Sequence, residues 1–338
     1  MVGGREGRTT LTDVARAAGV SVALVSIVMR NAPGASDETR ERVLRIADEL
    51  GYVPDQRARK LRQLSSRLLG VIFELREPFH GDLVEEVYRA AGELDYDVVI
   101  SAVAPSRSET AALDTVVRER CDSVILLGSR LDDDALAVLA AKMPVVVVAR
   151  GTAAPGVGYV RTDDTTGIAA AVEHLVDLGH RDIVHIDGGD APSADERRVG
   201  FRQAMAEHGE TAQIVPGGLA QIDGARAMRE ILAESDRPSA VIAFNDECAT
   251  GVVDTLLRAG LHVPEDVSVI GYDDARLASS APVPLTTVSQ DAAELATDAV
   301  RGAIAMLAGD PPPAIVRRPH LVVRSTTTRL TSSVRSTR

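Results

Sequence analysis

Tryptophan is absent from this 338-residue chain, and only two cysteines occur, Cys121 and Cys248. Each sits in an apolar setting without a second Cys or a His pair beside it. That excludes a disulfide framework and a cysteine-ligated zinc site, and it fits a reducing compartment. No 18-residue apolar run occurs, so no membrane-spanning helix is expected. Residues 1–10 are polar and lack the apolar stretch of a secretory leader, so the chain reads as cytoplasmic. A nucleophile elbow of the G-x-S-x-G type, a Walker loop and G-x-G-x-x-G are all missing, which argues against the common α/β enzymes. His174 and His180 stand at no metal-ligand spacing and read as packing or helix-end residues. The run Asp132-Asp-Asp134 opens a predicted helix, where acids favour the dipole. No metal and no cofactor are therefore expected.

Positive charge is scarce, with 37 Lys+Arg against 49 Asp+Glu and a formal net charge of −12. The deficit is uneven. Residues 1–67 carry 12 basic and 8 acidic side chains, a balance of +4, which leaves −16 for the remainder. A basic end on an acidic body is the asymmetry of a chain whose end alone meets phosphate.

That basic end patterns as short helices. Thr10 can cap a helix running to Ala18, with Asp13 at capping-box spacing and Leu11, Val14, Ala15 and Ala18 on one face. Gly19-Val20 breaks it, and Ser21 can cap a second helix, Val22–Met29. Two short helices across a glycine turn form a helix-turn-helix pattern. Ser36 caps a third helix, Asp37–Leu50, with Val43, Ile46, Ala47 and Leu50 inward. Asp55–Gln63 is a short basic helical segment whose large apolar residue is Leu61.

From Leu68 the texture changes. Val/Ile-rich runs at Leu69–Phe73, Asp97–Val103, Ser123–Leu127, Val145–Ala149, Asp182–Ile186, Ala240–Phe244 and Val267–Tyr272 alternate with amphipathic helices, and Pro319–Arg324 adds a strand near the end. Such alternation implies parallel sheets covered by helices on both faces. About six strands are expected before Gly158, where the pattern restarts. The expected fold class is a small all-α helix-turn-helix headpiece plus an α/β core of two doubly wound parallel-sheet lobes. The corresponding division is an arm at 1–9, a headpiece at 10–54, a hinge and linker at 55–67, a core at 68–330 and a disordered tail at 331–338. The first lobe takes about 68–161 and 291–318, the second about 162–290 and 319–330.

In order and spacing, several short motifs resemble the lactose-repressor/galactose-repressor family. They are L-T-D-V-A-R-A-A-G-V-S at 11–21, A-D-E-L-G-Y-V-P at 47–54, E-H-L-V-D-L-G-H at 173–180, R-R-V-G-F at 197–201, G-Y-D-D at 271–274 and P-L-T-T-V-S-Q-D at 284–291. The resemblance covers about Thr10 to Arg329. It implies a ligand-responsive repressor binding palindromic double-stranded DNA as a homodimer, with a core like that of periplasmic sugar-binding proteins.

The resemblance makes Val22–Met29 the recognition helix. Val22, Ala23 and Ile27 would face base edges, while Ser21 and Ser26 would bond phosphates. The usual arginine of this helix is replaced by Ile27, so these three offer only apolar contact, suited to thymine methyls. An operator unlike the family consensus is expected. Arg30 would meet phosphate. Within Asp55–Gln63, Leu61 falls at the leucine that wedges into the minor groove, and Ala58 at the small residue where two hinges approach. Arg57 and its basic neighbours would contact phosphates.

The resemblance also places an effector-binding arginine at Arg197. Asn245 and Asp273 follow strands, where ligands of doubly wound sheets bind. Phe79 follows the first core strand, and Gln290 lies near a lobe crossover. Arg197 has a surface alternative, pairing with Asp195 or Glu196. Asp246 and Asp274 read as structural caps, and Gln290 has the alternative of tying the crossover strands together. Sugar, sugar phosphate and purine-like effectors all stay open. Aromatics are only 3% of the chain, and Leu219 stands where the family usually has an aromatic, which weakens the sugar reading. Arg150, at a position the family usually gives to an acid, suggests an anionic ligand.

Overall fold

The computed structural model describes residues 9–29, 33–52, 66–234 and 237–330. Arg30, the hinge residues Arg57, Ala58 and Leu61, and the tail at 331–338 lie outside the described residues, as does the arm up to Arg8. Two units divide at Ser66/Arg67.

In the first unit, α1 (Leu11–Ala18) begins at a capping box. The Thr10 hydroxyl accepts from the Asp13 N–H, and the Asp13 carboxylate accepts from the Thr10 N–H at 3.0 Å. The Thr10 hydroxyl also donates to that carboxylate at 2.6 Å, and this bond first, then the one from the Thr10 N–H, holds the Asp13 carboxyl below its ordinary range. Gly19 ends the helix at φ +64, where a side chain would be strained. The Ser21 hydroxyl then caps α2 (Val22–Met29), which meets α1 at 105°. Ser36 caps α3 (Asp37–Glu49). Val14, Ala15, Val25, Val28, Val43 and Ala47 fill the small core between the three helices. Leu50, expected inward, is 40% exposed, because α3 stops one residue before it.

The second unit holds two sheets. Strands β1 (Leu68–Glu74), β2 (Asp97–Val103), β3 (Ser123–Leu127), β4 (Val145–Val148) and β5 (Val157–Thr162) alternate with α4 (Pro78–Glu93), α5 (Glu109–Arg118) and α6 (Asp133–Ala140). Four strands, not six, precede Gly158, which itself lies within β5. The sixth strand of this sheet, β11 (Ala314–Arg317), arrives from near the end of the chain, and the order is β11-β5-β4-β3-β1-β2, all parallel. β3 and β4 are buried at every residue, as parallel strands covered on both faces must be.

The second sheet follows from α7 (Asp164–Asp177), β6 (Ile183–Ile186), α8 (Ala194–Glu207), β7 (Gln213–Val215), α9 (Gln221–Ala233), β8 (Ala240–Ala243), α10 (Asp246–Arg258), β9 (Ser268–Asp273), α11 (Arg276–Ser280) and β10 (Thr286–Ser289). The chain then returns to the first lobe through α12 (Ala292–Leu307) and β11 before closing the second sheet with β12 (His320–Val322). The order is β12-β10-β9-β8-β6-β7, with β12 antiparallel. The chain thus crosses between lobes three times, after β5, β10 and β11.

Helices α9 and α10 touch through glycines. A Cβ on Gly251 would stand 1.9 Å from the Gln221 carbonyl oxygen, and one on Gly224 would stand 2.0 Å from that of Cys248. Backbone cannot yield there as a flexible side chain would. Gly251→Ala is therefore expected to lower core stability by about 1–3 kcal/mol, the usual cost of overpacking. Urea unfolding of the two proteins tests this, and an unchanged midpoint would mean that the helices separate freely.

Candidate functional site

On α2, Val25 and Val28 are buried and point away from any partner. Ser21, Val22 and Ala23 are exposed at the N-terminal end, and Ser26 and Ile27 are half-buried. The alternative that Val22 serves the core is excluded by its 42% exposure. Ile27 keeps part of that character, since its side chain is half-buried. The free face of α2 therefore starts with a hydroxyl and two small apolar side chains.

In the core, Phe79, Arg197, Asn245, Asp273 and Gln290 line one cavity of about 80 Å³ between the lobes. Glu74, Glu77, Arg130 and Leu219 line it too, and the same four also line a wider cleft of about 730 Å³. Phe79 comes from the first turn of α4 and Arg197 from α8. Asn245 and Asp273 stand at the carboxyl ends of β8 and β9, and Gln290 follows β10. Each strand end delivers its side chain to the same crevice, as doubly wound sheets do.

Arg197 is buried rather than paired at the surface. Its Nε donates to Asp164 at 2.9 Å, one terminal nitrogen donates to the Phe244 carbonyl at 2.6 Å, and the other lies 4.0 Å from Asp273. The guanidinium stacks 3.5 Å from the Tyr272 ring centroid and 4.5 Å from that of Phe244. Arg198, its neighbour, takes the surface role, pairing with Asp187 and Asp195.

Asp273 and Asp274 both have positive φ, +113 and +56. Such conformations cost about 1–3 kcal/mol each and persist only where the surroundings enforce them. Here Gln290 Nε2 donates to Asp273 at 2.6 Å, and Arg324 grips Asp274 at 2.5 Å. Gln290 in turn accepts from Thr162 Oγ1 at 2.8 Å, so Thr162, Gln290 and Asp273 tie two crossover strands together behind the cavity. Asp246 is structural, accepting from Thr287 Oγ1 and from the Ala275 N–H. Asn245 spends its side-chain oxygen on the Cys248 N–H at 2.8 Å, capping α10.

Burial governs the titrating groups. It pushes Glu77 up to about 8, helped by the negative charges of Asp273, Glu247 and Glu74. Burial likewise raises Asp273 to about 7, against the pull of Arg197 and Gln290. His80 falls to about 4 for the same reason. Its Nδ1 accepts from the Glu74 N–H at 3.1 Å, so the neutral ring carries its proton on Nε2.

Arg150 does not line the cavity. Its guanidinium turns to the Leu131 carbonyl at 2.5 Å, so the expected anionic ligand loses its support. Glu74, Glu77 and Arg130 were missed in the sequence, although all three lie at or just beyond the ends of β1 and β3. His174 and His180 bond Thr327, Ser239 and the Thr328 carbonyl, and Asp132 caps α6 through the Ala135 N–H. Among the described residues no helix alone is long and apolar enough to cross a membrane.

The family of bacterial regulatory proteins of the lacI type matches residues 10–55, and the periplasmic binding protein-like domain matches residues 172–327. The transcriptional regulator GalR of Escherichia coli is 33% identical over 93% of this chain and 94% of its own. A LacI transcriptional regulator from a Rhodococcus species is 54% identical, with a TM-score of 0.76 over 78% of this chain and 99% of that one. The lac repressor dimer, solved with operator and the anti-inducer ONPF, is 31% identical, with a TM-score of 0.82 over 95% of this chain and 100% of that one. With its helix-turn-helix unit and its two-lobed ligand-binding core, the chain belongs to the LacI/GalR family of DNA-binding transcription regulators and is not an enzyme.

Proposed function

We propose that this regulator represses a small-molecule utilisation operon, binds a palindromic operator as a homodimer, and releases or tightens its grip when an effector enters the core cleft. The observation that carries this reading is the convergence of Phe79, Arg197, Asn245, Asp273 and Gln290 on one interlobe cavity. The effector class is carbohydrate-like: Asp273, Asn245 and Arg197 combine acceptors and donors suited to hydroxyl groups. On the DNA side, Val22, Ala23 and Ile27 read apolar base edges while Ser21, Ser26, Arg30 and Arg57 hold phosphates. Ala58 and Leu61 act at the operator centre.

Control follows from two states of the cleft. An effector shifts the balance only by its differential affinity for the open and closed lobes. Arg276 bridges the lobes here, its N–H donating to Asp82 at 2.9 Å and its guanidinium reaching Asp82 and Glu85. Lobe movement must rearrange that contact.

Selection of bound duplexes from a random pool tests the DNA half of this reading. The full chain is expected to enrich a palindrome rich in thymine at the α2 contacts, and a chain lacking residues 1–66 is expected to enrich nothing. No enrichment by the full chain would mean that the apolar α2 face has lost sequence specificity.

A further inference from the structure

The cavity's charges do not balance. Arg197 is matched by Asp164 at 2.9 Å, and Arg130 by Asp190 at 3.4 Å. Against these paired cations stand the carboxylates of Glu74 and Glu77, which lie on both the inner cavity and the wider cleft. Among the described residues neither carboxylate has a hydrogen bond or ion pair. Glu247 stands near Glu77 in the wider cleft and adds to the negative field. Arg76 lines only that cleft and does not line the inner cavity. Phe79, Leu219 and Phe244 supply apolar surface to the same lining.

Taking the interlobe cavity as the effector site, we infer that the effector carries a protonated amine, held by Glu77 and Glu74, on a small hydroxylated skeleton held by Asn245 and Asp273. An ammonium donates three hydrogen bonds and stabilises the ionised form of Glu77, whereas a phosphate or carboxylate ligand would push Glu77 further toward its protonated form. A neutral sugar would bring no charge to either acid and would leave Glu77 holding its proton. Burial and the negative charges of Asp273, Glu247 and Glu74 lift Glu77 to about 8, and Arg130 offsets that rise only in part. The scarcity of stacking aromatics fits as well, because charge replaces the ring face as the source of grip.

Matched probe pairs test this on the full-length protein by titration calorimetry. Glucosamine is compared with glucose, galactosamine with galactose, and glucose 6-phosphate serves as the anionic probe. At least one amino sugar is expected to bind tenfold or more tightly than its neutral partner and than the phosphate. Glu77→Gln is expected to remove that preference while retaining affinity for the neutral sugar, and Glu74→Gln to reduce it partially. The inference is overturned if neither amine outbinds its partner, or if Glu77→Gln leaves amine affinity unchanged. Neutral sugars that bind and are lost with Asp273→Asn would keep the cavity as effector site and remove only the amine. Probes that bind with full affinity to Asp273→Asn would remove both.

Discussion

Arg197→Met is expected to lower the stability of the core by about 3–5 kcal/mol and to abolish any response to effector. The size follows from what is left behind. Asp164 is 1% exposed and would lose the cation at 2.9 Å, an uncompensated buried charge of the kind that costs about this much. The Phe244 carbonyl would lose its 2.6 Å donor, and the rings of Tyr272 and Phe244 would lose the cation between them. Methionine keeps most of the volume, so the loss reports charge rather than a cavity. A double variant, Arg197→Met with Asp164→Leu, separates structure from function. It removes both charges, and buried pairs replaced by apolar groups regain most of their stability. The double variant should therefore unfold near the parent midpoint and still ignore effector. Urea midpoints with operator-release assays read both effects. A single variant within 1 kcal/mol of the parent would show that Asp164 finds another partner. A double variant that responds to effector would remove Arg197 from the site.

Much of this could be read from residues alone, for reasons that differ by element. The caps at Thr10, Ser21 and Ser36 were legible because a hydroxyl before an apolar-periodic run has one local use. The buried strands β3 and β4 were legible because both faces demand β-branched residues. By contrast β5, β7, β10 and β11 went unnamed. β7 has three residues, and β11 follows a proline run at a sheet edge. β10 reads Thr-Thr-Val-Ser, a polar run whose burial is matched by bonds donated to Thr326 and Asp246, partners that only the fold brings near. The six-strand count before Gly158 overshot because that sheet completes itself with β5, which contains Gly158, and with β11 from near the end of the chain.

The cavity divides in the same way. Strand-end logic found Asn245 and Asp273, yet the same logic applied to β1 and β3 leads to Glu74, Glu77 and Arg130. Arg150 misled because its position suggested a ligand contact, while its side chain satisfies a loop carbonyl instead. The surface option for Arg197 was wrong in partner: Asp164 lies 33 residues away along the chain, beyond any local pairing rule.

Between pH 6.5 and 8 the core is expected to lose stability, on the order of 1–2 kcal/mol. Asp246, Asp273 and Glu77 all titrate above their unfolded values of 3.8, 3.8 and 4.5, chiefly through burial. A raised carboxyl means that the folded state holds a proton the unfolded chain has released, so stability falls as pH rises toward the folded value. For Asp273 and Glu77 those values are about 7 and about 8. His80 and His185 act in the opposite sense, since burial lowers both to about 4 from 6.5. Below 6.5 the unfolded chain binds protons that these folded rings refuse, so stability climbs with pH and then levels off. From pH 4 to 6.5 the two sets therefore oppose each other, and above 6.5 only the carboxyls act. Cys248, pushed up to about 12, and the low-lying Asp13, Asp187 and Asp266 titrate outside the window. Urea unfolding at pH 6.5, 7.2 and 8.0 measures the slope, and Asp273→Asn should flatten it by removing one of the protons. A flat or rising profile in the parent would mean that Asp273 and Glu77 are already ionised at pH 6.5, and that the folded cleft holds counter-charge for them at neutral pH.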